Sequence, residues 1–234
     1  MNQYQKIVVL TGAGISADSG LATFRDNDGL WENHRIEEVA TPEAFDRYPS
    51  RVHRFYNARR AAAAQAEPNA AHRCLARVEQ QIDEFVLISQ NVDDLHRRAG
   101  SQRLLSMHGQ LNRFRCVQCH QVGSVNHDLA VHDACPQCKK TGCLRPHIVW
   151  FGEMPLFMDD IMTYLMACDL FVAIGTSGTV YPAAGFVEIA KRHQAHTVML
   201  NLDGTDNLLF DKVITGQASE VVPAYFYEQL GFNR

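Results

Sequence analysis

The apolar run Ile7-Val-Val-Leu10 gives way at Gly12 to a small-residue turn, and this junction constrains the fold more than any other stretch. A short apolar run rich in β-branched residues reads as a buried strand, and the glycine as a tight turn closing it. Gly12, Gly14 and Ala17 then satisfy G-x-G-x-x-G/A, the turn that opens dinucleotide-binding folds. Small residues there let backbone approach a pyrophosphate, and the next helix offers unpaired N–H donors to the anion. Taken alone, the motif fits plain strand–turn–helix packing equally well. The polar run Ser19-Gly-Leu-Ala-Thr-Phe-Arg25 directly behind it is something a structural turn does not need.

Further apolar runs at Phe85–Ser89, Leu104–Met107, His147–Phe151, Leu170–Ile174 and Thr197–Asn201 read as strands. Helical patterns at Pro49–Ala66, Ala70–Ile82, Met158–Ala167 and Pro182–His193 lie between them. Strands alternating with helices predict an α/β fold, a Rossmann-like parallel sheet with helices on both faces. In such folds the ligand sits beyond the carboxyl ends of the strands.

Two segments break the pattern. No convincing second strand appears before Phe85, so the acidic ribose ligand expected about twenty residues past the glycine turn cannot be assigned. Glu32, Glu37 and Glu38 fall in that interval without a strand to place them. The stretch Arg113–Arg145 is strand-poor and cysteine-rich. Both read as insertions that together form a small lobe. The expected division is a large Rossmann-like domain over about 1–25, 70–112 and 146–234, with a small lobe over about 26–69 and 113–145.

With 234 residues the chain suits one large domain or a main domain with a lobe, and 46% hydrophobic residues supply an ample core. A net charge of −4 argues against nucleic acid as a partner. No apolar run approaches the roughly 20 residues that cross a bilayer, which argues against a membrane role. The first six residues lead straight into a strand, leaving no room for a signal peptide. Seven cysteines, an odd number, then point to reduced thiols or metal ligands and to a cytoplasmic location.

Cys116-x-x-Cys119 and Cys135-x-x-Cys138, fifteen residues apart, match the four-thiolate zinc pattern. Four thiolates leave no open coordination position, so one Zn2+ here is structural. Without it the segment has little to fold it. Cys143 follows closely and competes for the fourth position; Cys74 and Cys168 sit in apolar helical patterns as small core residues.

Among eleven histidines, His108 combines a strand end with a polar neighbourhood, and Gly109 leaves room for a ligand beside the ring. It is the candidate general base. His53, His72, His96, His127, His132 and His193 read as surface or helix residues, and His147, beside Pro146, as structural. The run Ser89-Gln-Asn-Val-Asp-Asp94 follows another strand and belongs to the same sheet edge.

These residues also carry a resemblance. Gly12-Ala-Gly-Ile-Ser16, Thr23-Phe-Arg25, Gln90-Asn-Val-Asp93, His108-Gly109, the paired CxxC knuckles, Val149-Trp-Phe-Gly152, Gly175-Thr-Ser177 and Asn201-Leu-Asp203 resemble the signature series of the sirtuins. Sirtuins are NAD-dependent protein-lysine deacylases, and the match runs in order over nearly the whole chain, as in compact bacterial members. The resemblance implies that the nicotinamide–ribose bond of NAD+ is cleaved while the acyl-amide oxygen of a substrate lysine attacks C1′. Catalytic roles fall to His108, as general base on a ribose hydroxyl, and to Asn91 and Asp93, which orient the ribose and the nicotinamide carboxamide. Products are free lysine, nicotinamide and O-acyl-ADP-ribose.

The cofactor site implied comprises Gly12, Ala13, Gly14, Ser16, Phe24, Arg25, Trp31, Gln90, Asn91, Val92, Asp93, His108, Gly175, Thr176, Ser177, Asn201, Leu202, Asp203 and Ala218. Val149, Phe151 and Gly152 would form a strand that pairs with the substrate peptide. Tyr56-x-x-Arg59, on one helix face, matches the pair that binds the distal carboxylate in the desuccinylase-type subclass, and Ala40 the small residue that widens its acyl pocket. Acylated protein lysine carrying succinyl, malonyl or acetyl is therefore the expected substrate. Leu21-Ala22 and Ser89 depart from the common pattern without removing a functional side chain. Mono-ADP-ribosyl transfer, a deacetylase without acidic preference, an idle NAD sensor and a hydride-transferring dehydrogenase are the alternatives; the last explains neither the zinc lobe nor the Tyr56/Arg59 pair.

Overall fold

Six parallel strands in the order β11-β10-β9-β1-β4-β5 form the main sheet of the computed structural model, which describes residues 4–23, 30–31, 34–178, 180–203 and 208–233. In chain order, β1 (Lys6–Thr11) and the single turn α1 (Gly14–Ala17) lead into a short hairpin, β2 (Leu30–Trp31) and β3 (His34–Arg35). Three helices follow: α2 (Ile36–Val39), α3 (Pro42–Arg47) and α4 (Pro49–Gln65). Helix α5 (Ala70–Glu79) returns the chain to β4 (Glu84–Ser89), α6 (Leu95–Arg98) and β5 (Leu104–Ser106). A second sheet is built from β6 (Gly109–Cys116), β7 (Val122–Ser124) and β8 (Leu144–Ile148). The chain closes with α7 (Met158–Ala167), β9 (Leu170–Ile174), α8 (Phe186–Arg192), β10 (His196–Asn201), β11 (Lys212–Thr215) and α9 (Ala218–Pro223).

The continuous apolar runs of the central strands follow from burial on both faces. Alternate residues Ile7, Val9, Phe85, Leu87, Leu170, Val172, Val198 and Leu200 pack with α5 and α9. The intervening Val8, Leu10, Val86, Ile88, Phe171 and Ala173 pack with α7 and α8. This period-two division confirms the Rossmann-like sheet with helices on both faces.

Register places the site. Thr11 lies opposite both Ser89 and Ile174, Ser89 opposite Ser106, and Leu200 opposite Ile174. The turns after β1, β4, β5, β9 and β10 therefore emerge at one level, and β1 and β9 flank the point where the connections change direction.

The second sheet corrects the expected strand His147–Phe151. That strand runs Leu144–Ile148 and pairs antiparallel with β6, in the order β7-β6-β8, outside the main sheet. Strand β6 escaped the sequence reading because it alternates buried and polar positions, from Gly109 through Gln110, Asn112, Arg113 and Arg115. The two insertions meet through Asn57 on α4, whose side chain bonds the Leu129 backbone at 2.9 and 3.1 Å. Val39, Phe45, Val52, Phe55 and Tyr56 from α2–α4 share a core with Leu111, Ile148 and Trp150, which flank the second insertion.

Three of the histidines read as surface or helix residues lie in the interior. His53, His72 and His96 sit on helices as read, yet each is buried. His72 and His96 stack with ring centroids 4.7 Å apart, and Thr11 Oγ1 lies 3.0 Å from His96 Nε2. Asn69 caps α5 and donates from Nδ2 to the Ile15 carbonyl at 2.8 Å, tying this pair to the glycine turn. Burial, reinforced by Arg73, pulls the His72 pKa down to about 4, and burial pulls His96 well below its usual range. Both folded values lie below the unfolded value of about 6.5, so the unfolded chain takes up protons first as pH falls. Stability present above pH ~6.5 is lost on the way to pH ~4, by roughly 3 kcal/mol for His72 alone. Urea unfolding at stepped pH should show this slope, and His72→Gln should flatten it. A profile flat from pH 7 to 5 in the wild type would mean the imidazoles are reached by water.

Candidate active-site cleft and zinc module

A cleft of about 720 Å3 opens where the parallel strands end. Its floor is the β1–α1 turn against the turn after β9. A Cβ on Gly12 would lie 2.7 Å from the Gly175 carbonyl oxygen, and one on Gly14 2.7 Å from Gly175 Cα. Gly175 itself has φ +59°, and a Cβ there would meet Ile15 N at 2.4 Å. The glycines thus serve contact between two protein loops. The expected row of free helix donors is also reduced. Gly14 N–H bonds the Gly175 carbonyl, Ile15 N–H that of Gly12 and Ser16 N–H that of Ala13, because α1 is one turn long.

Ser16 Oγ joins the two strand-end clusters. It accepts from Asn91 Nδ2 at 3.0 Å and donates to Asp93 Oδ2 at 3.1 Å, while Asp93 Oδ1 accepts from Leu95 N–H. Burial raises the Asp93 pKa, partly offset by those hydrogen bonds. Ser89 Oγ accepts from Asn91 N–H and from Thr11 Oγ1, so serine here keeps the hydroxyl that the turn uses. Gln90 Nε2 donates to Thr176 Oγ1 at 3.0 Å, and Asn201 Nδ2 to the Thr176 carbonyl at 3.2 Å.

His108 Nδ1 lies 2.9 Å from the Gln90 carbonyl oxygen. A carbonyl only accepts, so Nδ1 carries the proton and Nε2 keeps its lone pair. Burial lowers the pKa, outweighing the hydrogen bond to Gln90. Gly109 does not serve to clear space for a ligand. Its φ is +86°, and a Cβ would fall 2.0 Å from the His147 carbonyl oxygen where β6 meets β8.

Across the cleft, Tyr56 is fully buried on α4, and its Oη accepts from Trp150 Nε1 at 2.9 Å. Arg59 is one turn on, its guanidinium 5.9 Å from the Phe55 ring centroid. Ala40 lines the same wall, and its carbonyl accepts from Phe151 N–H at 3.0 Å.

The zinc module lies at the far end of the second sheet. The Sγ atoms of Cys116, Cys119, Cys135 and Cys138 all lie within 4.8 Å of one another. Cys116–Cys138 is 3.8 Å and Cys119–Cys135 is 3.7 Å. A tetrahedron with Zn–S of about 2.3 Å has edges of about 3.8 Å, so the set fits the ion. Each knuckle ends alike: His120 (φ 60°) and Lys139 (φ 63°) are left-handed, their N–H groups bonding the Cys116 and Cys135 carbonyls. Cys143 Sγ donates to the Lys140 carbonyl at 3.0 Å and lies 3.5 Å from Cys116 Sγ, but it is not among the four sulfurs that all lie within 4.8 Å of one another.

The sequence profile of the Sir2 family matches residues 12–182. The chain belongs to this family. A Pasteurella multocida (strain Pm70) protein named NAD-dependent protein deacylase is 53% identical over 234 residues, covering 98% of this chain and 100% of its own. A solved Sir2 homolog–NAD complex aligns at TM-score 0.86 and 38% identity, over 94% of this chain and 87% of that one. A Sir2 protein with deacetylated p53 peptide and 3′-O-acetyl ADP-ribose aligns at TM-score 0.82 and 28% identity, over 97% and 94%.

Nearly every residue that the Sir2 resemblance singled out faces one cleft. Gly12, Ala13, Gly14, Ser16, Gln90, Asn91, Val92, Asp93, His108, Gly175, Thr176, Ser177, Asn201, Leu202, Asp203 and Ala218 line it, with Ala40, Tyr56, Arg59, Val149, Phe151 and Gly152. Phe24 and Arg25 lie outside the described residues, and of Trp31 only the backbone is described. Glu37 and Glu38 sit on α2, away from the cleft lining, and Glu38 pairs with Arg51. The segment Val149–Gly152 is no strand. Its Val149 and Phe151 amides bond the His108 and Ala40 carbonyls, and Gly152 turns the chain at φ +87°. Trp150, Tyr181 and Gln217 line the cleft without having been singled out. Only Trp150 had a signal, as part of the Val149–Gly152 motif. No described helix is long and apolar enough to cross a membrane.

Chelation should release one zinc per chain and melt the 114–144 segment at lower temperature. Metal release assayed colorimetrically, alongside hydrogen exchange, should show lost protection in β6–β8 while β1, β4 and β9 stay protected. Release with no change in β6–β8 would remove the metal's structural role.

Proposed function

We propose that this chain is an NAD-dependent protein-lysine deacylase that removes succinyl and malonyl groups, and acetyl groups as well. One observation carries the reading: His108 and the Tyr56/Arg59 pair line a single cleft that also holds the glycine turn and the Ser16–Asn91–Asp93 relay. A base for the ribose and a reader for an acyl carboxylate thus face one bound substrate pair. The named relatives and the NAD and peptide complexes of Sir2 homologues support the same assignment.

In this reading the Gly12–Ser16 turn, Thr176, Ser177, Asn201–Asp203 and Ala218 hold the dinucleotide, and Phe24, Arg25 and Trp31 are assigned to the same ligand by the family resemblance. NAD+ supplies the nicotinamide–ribose bond, and cleavage delivers the acyl group as O-acyl-ADP-ribose. Asn91 and Asp93, held by Ser16, orient the ribose and the carboxamide. His108 Nε2 takes a proton from a ribose hydroxyl, which its neutral, Nδ1-protonated form is arranged to do. The lysine enters beside Val149, Phe151 and Gly152, where Phe151 and Met154 are exposed. Main-chain pairing there uses groups that His108 and Ala40 have not already taken.

Tyr56 and Arg59 recognise the distal carboxylate, with Ala40 leaving room for the chain. Burial raises the Tyr56 phenol well above its usual range, so it stays a hydrogen-bond donor through physiological pH. The large unit (1–25, 70–112 and 146–234) and the small lobe (26–69 and 113–145) then hold the substrates between them. The sheet core and the cysteine-rich core each keep to one side of this division, whereas the core of α2–α4 also takes in Leu111, Ile148 and Trp150. Four cysteines placed as metal ligands, and none of the seven in a disulfide, support a cytoplasmic location.

Arg59→Met should lower kcat/KM for a succinyl-lysine peptide roughly thirty-fold, the loss of a charge-assisted contact of about 2 kcal/mol, while the acetyl peptide loses far less. Equal effects on both would leave a deacetylase without acidic preference. His108→Ala should cost at least about a hundred-fold in kcat on either peptide. Because burial depresses the His108 pKa, the acidic limb of the wild-type kcat/KM profile should have its midpoint below the ordinary 6.5. A midpoint above that value would place another group in the role of base.

A further inference from the structure

Tyr56 has a neighbour whose geometry reaches beyond packing. Trp150 Nε1 lies 2.9 Å from Tyr56 Oη, and both side chains are buried. An indole N–H only donates, so the phenol oxygen accepts at this contact and its own hydrogen is turned elsewhere. The contact therefore sets the direction in which Tyr56 donates.

Trp150 is held on every side. The Arg145 guanidinium stacks on the indole with Cζ 3.3 Å from the ring centroid, and Arg145 Nε has no acceptor among the described residues. The Phe45 ring packs at 5.7 Å. Arg145 grips Glu153 with two bonds, Nη1 to Oε1 at 2.7 Å and Nη2 to Oε2 at 2.9 Å. Glu153 Oε2 in turn accepts from Trp150 N–H at 2.8 Å, and Arg115 adds a second cation at 3.2 Å. Backbone and ring of residue 150 are thus fixed by one ion pair, itself anchored to β8 by Arg145 Nη2 on the Ile148 carbonyl. Of the twenty side chains, tryptophan combines a broad face for a guanidinium with an N–H donor at its rim.

We infer that Trp150 is a positioning residue for acyl selectivity: through its N–H bond it orients the Tyr56 hydroxyl toward the distal carboxylate of the substrate's acyl chain. This rests on the carboxylate-reading role given above to Tyr56 and Arg59. Acetyl lysine has no such carboxylate, so an effect routed through the Tyr56 hydroxyl must be selective. An effect on packing alone would touch both substrates.

The test measures kcat and KM on matched succinyl- and acetyl-lysine peptides. Trp150→Phe deletes the donor, and benzothienylalanine placed at position 150 by codon suppression deletes it while keeping the ring shape. Both should lower the succinyl-to-acetyl ratio of kcat/KM by between about three- and ten-fold, carried by KM. In a Tyr56→Phe background the same change should have no further effect on the ratio, since the hydroxyl it orients is gone. If Trp150→Phe fails to fold, the benzothienylalanine protein decides. An unchanged ratio in that protein, or an undiminished loss in the Tyr56→Phe background, overturns the inference. Arg59→Met in the same assay separates the two levels. If it spares succinyl turnover, the carboxylate reading falls and this inference with it; if it abolishes that turnover while position 150 is silent, only this inference falls.

Discussion

The cleft depends on two loops meeting backbone to backbone. Strands β1 and β9 are neighbours, and the turns that leave them would collide if either carried a side chain at Gly12, Gly14 or Gly175. Without side chains, Gly12 N–H bonds the Ile174 carbonyl, Gly14 N–H the Gly175 carbonyl, and Gly175 N–H the Leu200 carbonyl. Three strand ends are locked at one height. That lock places Ser16 where its hydroxyl reaches both Asn91 and Asp93 from the turn after β4. A motif commonly explained by the approach of a phosphate is here first a condition for the protein to close on itself. The ligand site is a consequence of that closure.

Much of this was legible in the sequence, and the reasons differ by element. The parallel strands were readable because burial on both faces leaves apolar runs such as Phe85–Ile88 and Leu170–Ile174 with no polar interruption. Strand β6 was not, because half of it carries polar side chains such as Gln110, Asn112 and Arg113, and its partner β8 lies well along the chain, with pairs running from Gly109 with Ile148 to Cys116 with Leu144. The same non-local pairing moved the expected His147–Phe151 strand out of register. The helix positions of His72 and His96 were legible but their burial was not, because the sequence shows no sign that the two rings stack on each other, with His96 against Thr11. His108 was legible from its strand end, but the reason for Gly109 was not, since β8 supplies the carbonyl that would clash.

The zinc module shows how a distant metal can matter to the cleft without touching it. Its buried cluster is small, and Cys116, Cys135 and Cys143 make up much of it beside Phe114, Val125, Leu129 and Leu144. So little apolar surface leaves the thiolate cage to hold the segment together. What the cage holds is a docking surface. Asn57 on α4 exchanges two bonds with the backbone of Leu129, at 2.9 and 3.1 Å, and Arg60 Nε bonds the Leu111 carbonyl at 2.7 Å. These residues sit directly beside Tyr56 and Arg59 on the same helix. Metal, module and α4 form one chain of support that ends at the Tyr56/Arg59 wall of the cleft.

The two halves of the site are therefore built on different foundations. His108, Asn91 and Asp93 stand on the ends of a six-stranded sheet whose core is deep and whose register is shared by five turns. Tyr56, Arg59 and Ala40 stand on an insertion whose core is shared with Leu111, Ile148 and Trp150, braced by the Arg145–Glu153 pair and by the zinc module. A substitution in the second set alters what fits between Ala40 and Arg59 while the strand ends stay in register, because that register is fixed by the sheet's own ladder. Contacts between the two sides include the Val149 amide on the His108 carbonyl, the Leu111 amide on the Val92 carbonyl, Arg98 on the Ala63 and Ala66 carbonyls, and the field of Arg59 on Asp93. Under the deacylase reading proposed above, such a division lets one bond-cleaving centre accept different acyl groups by changes on one helix and one turn, with the geometry around the ribose left as it is.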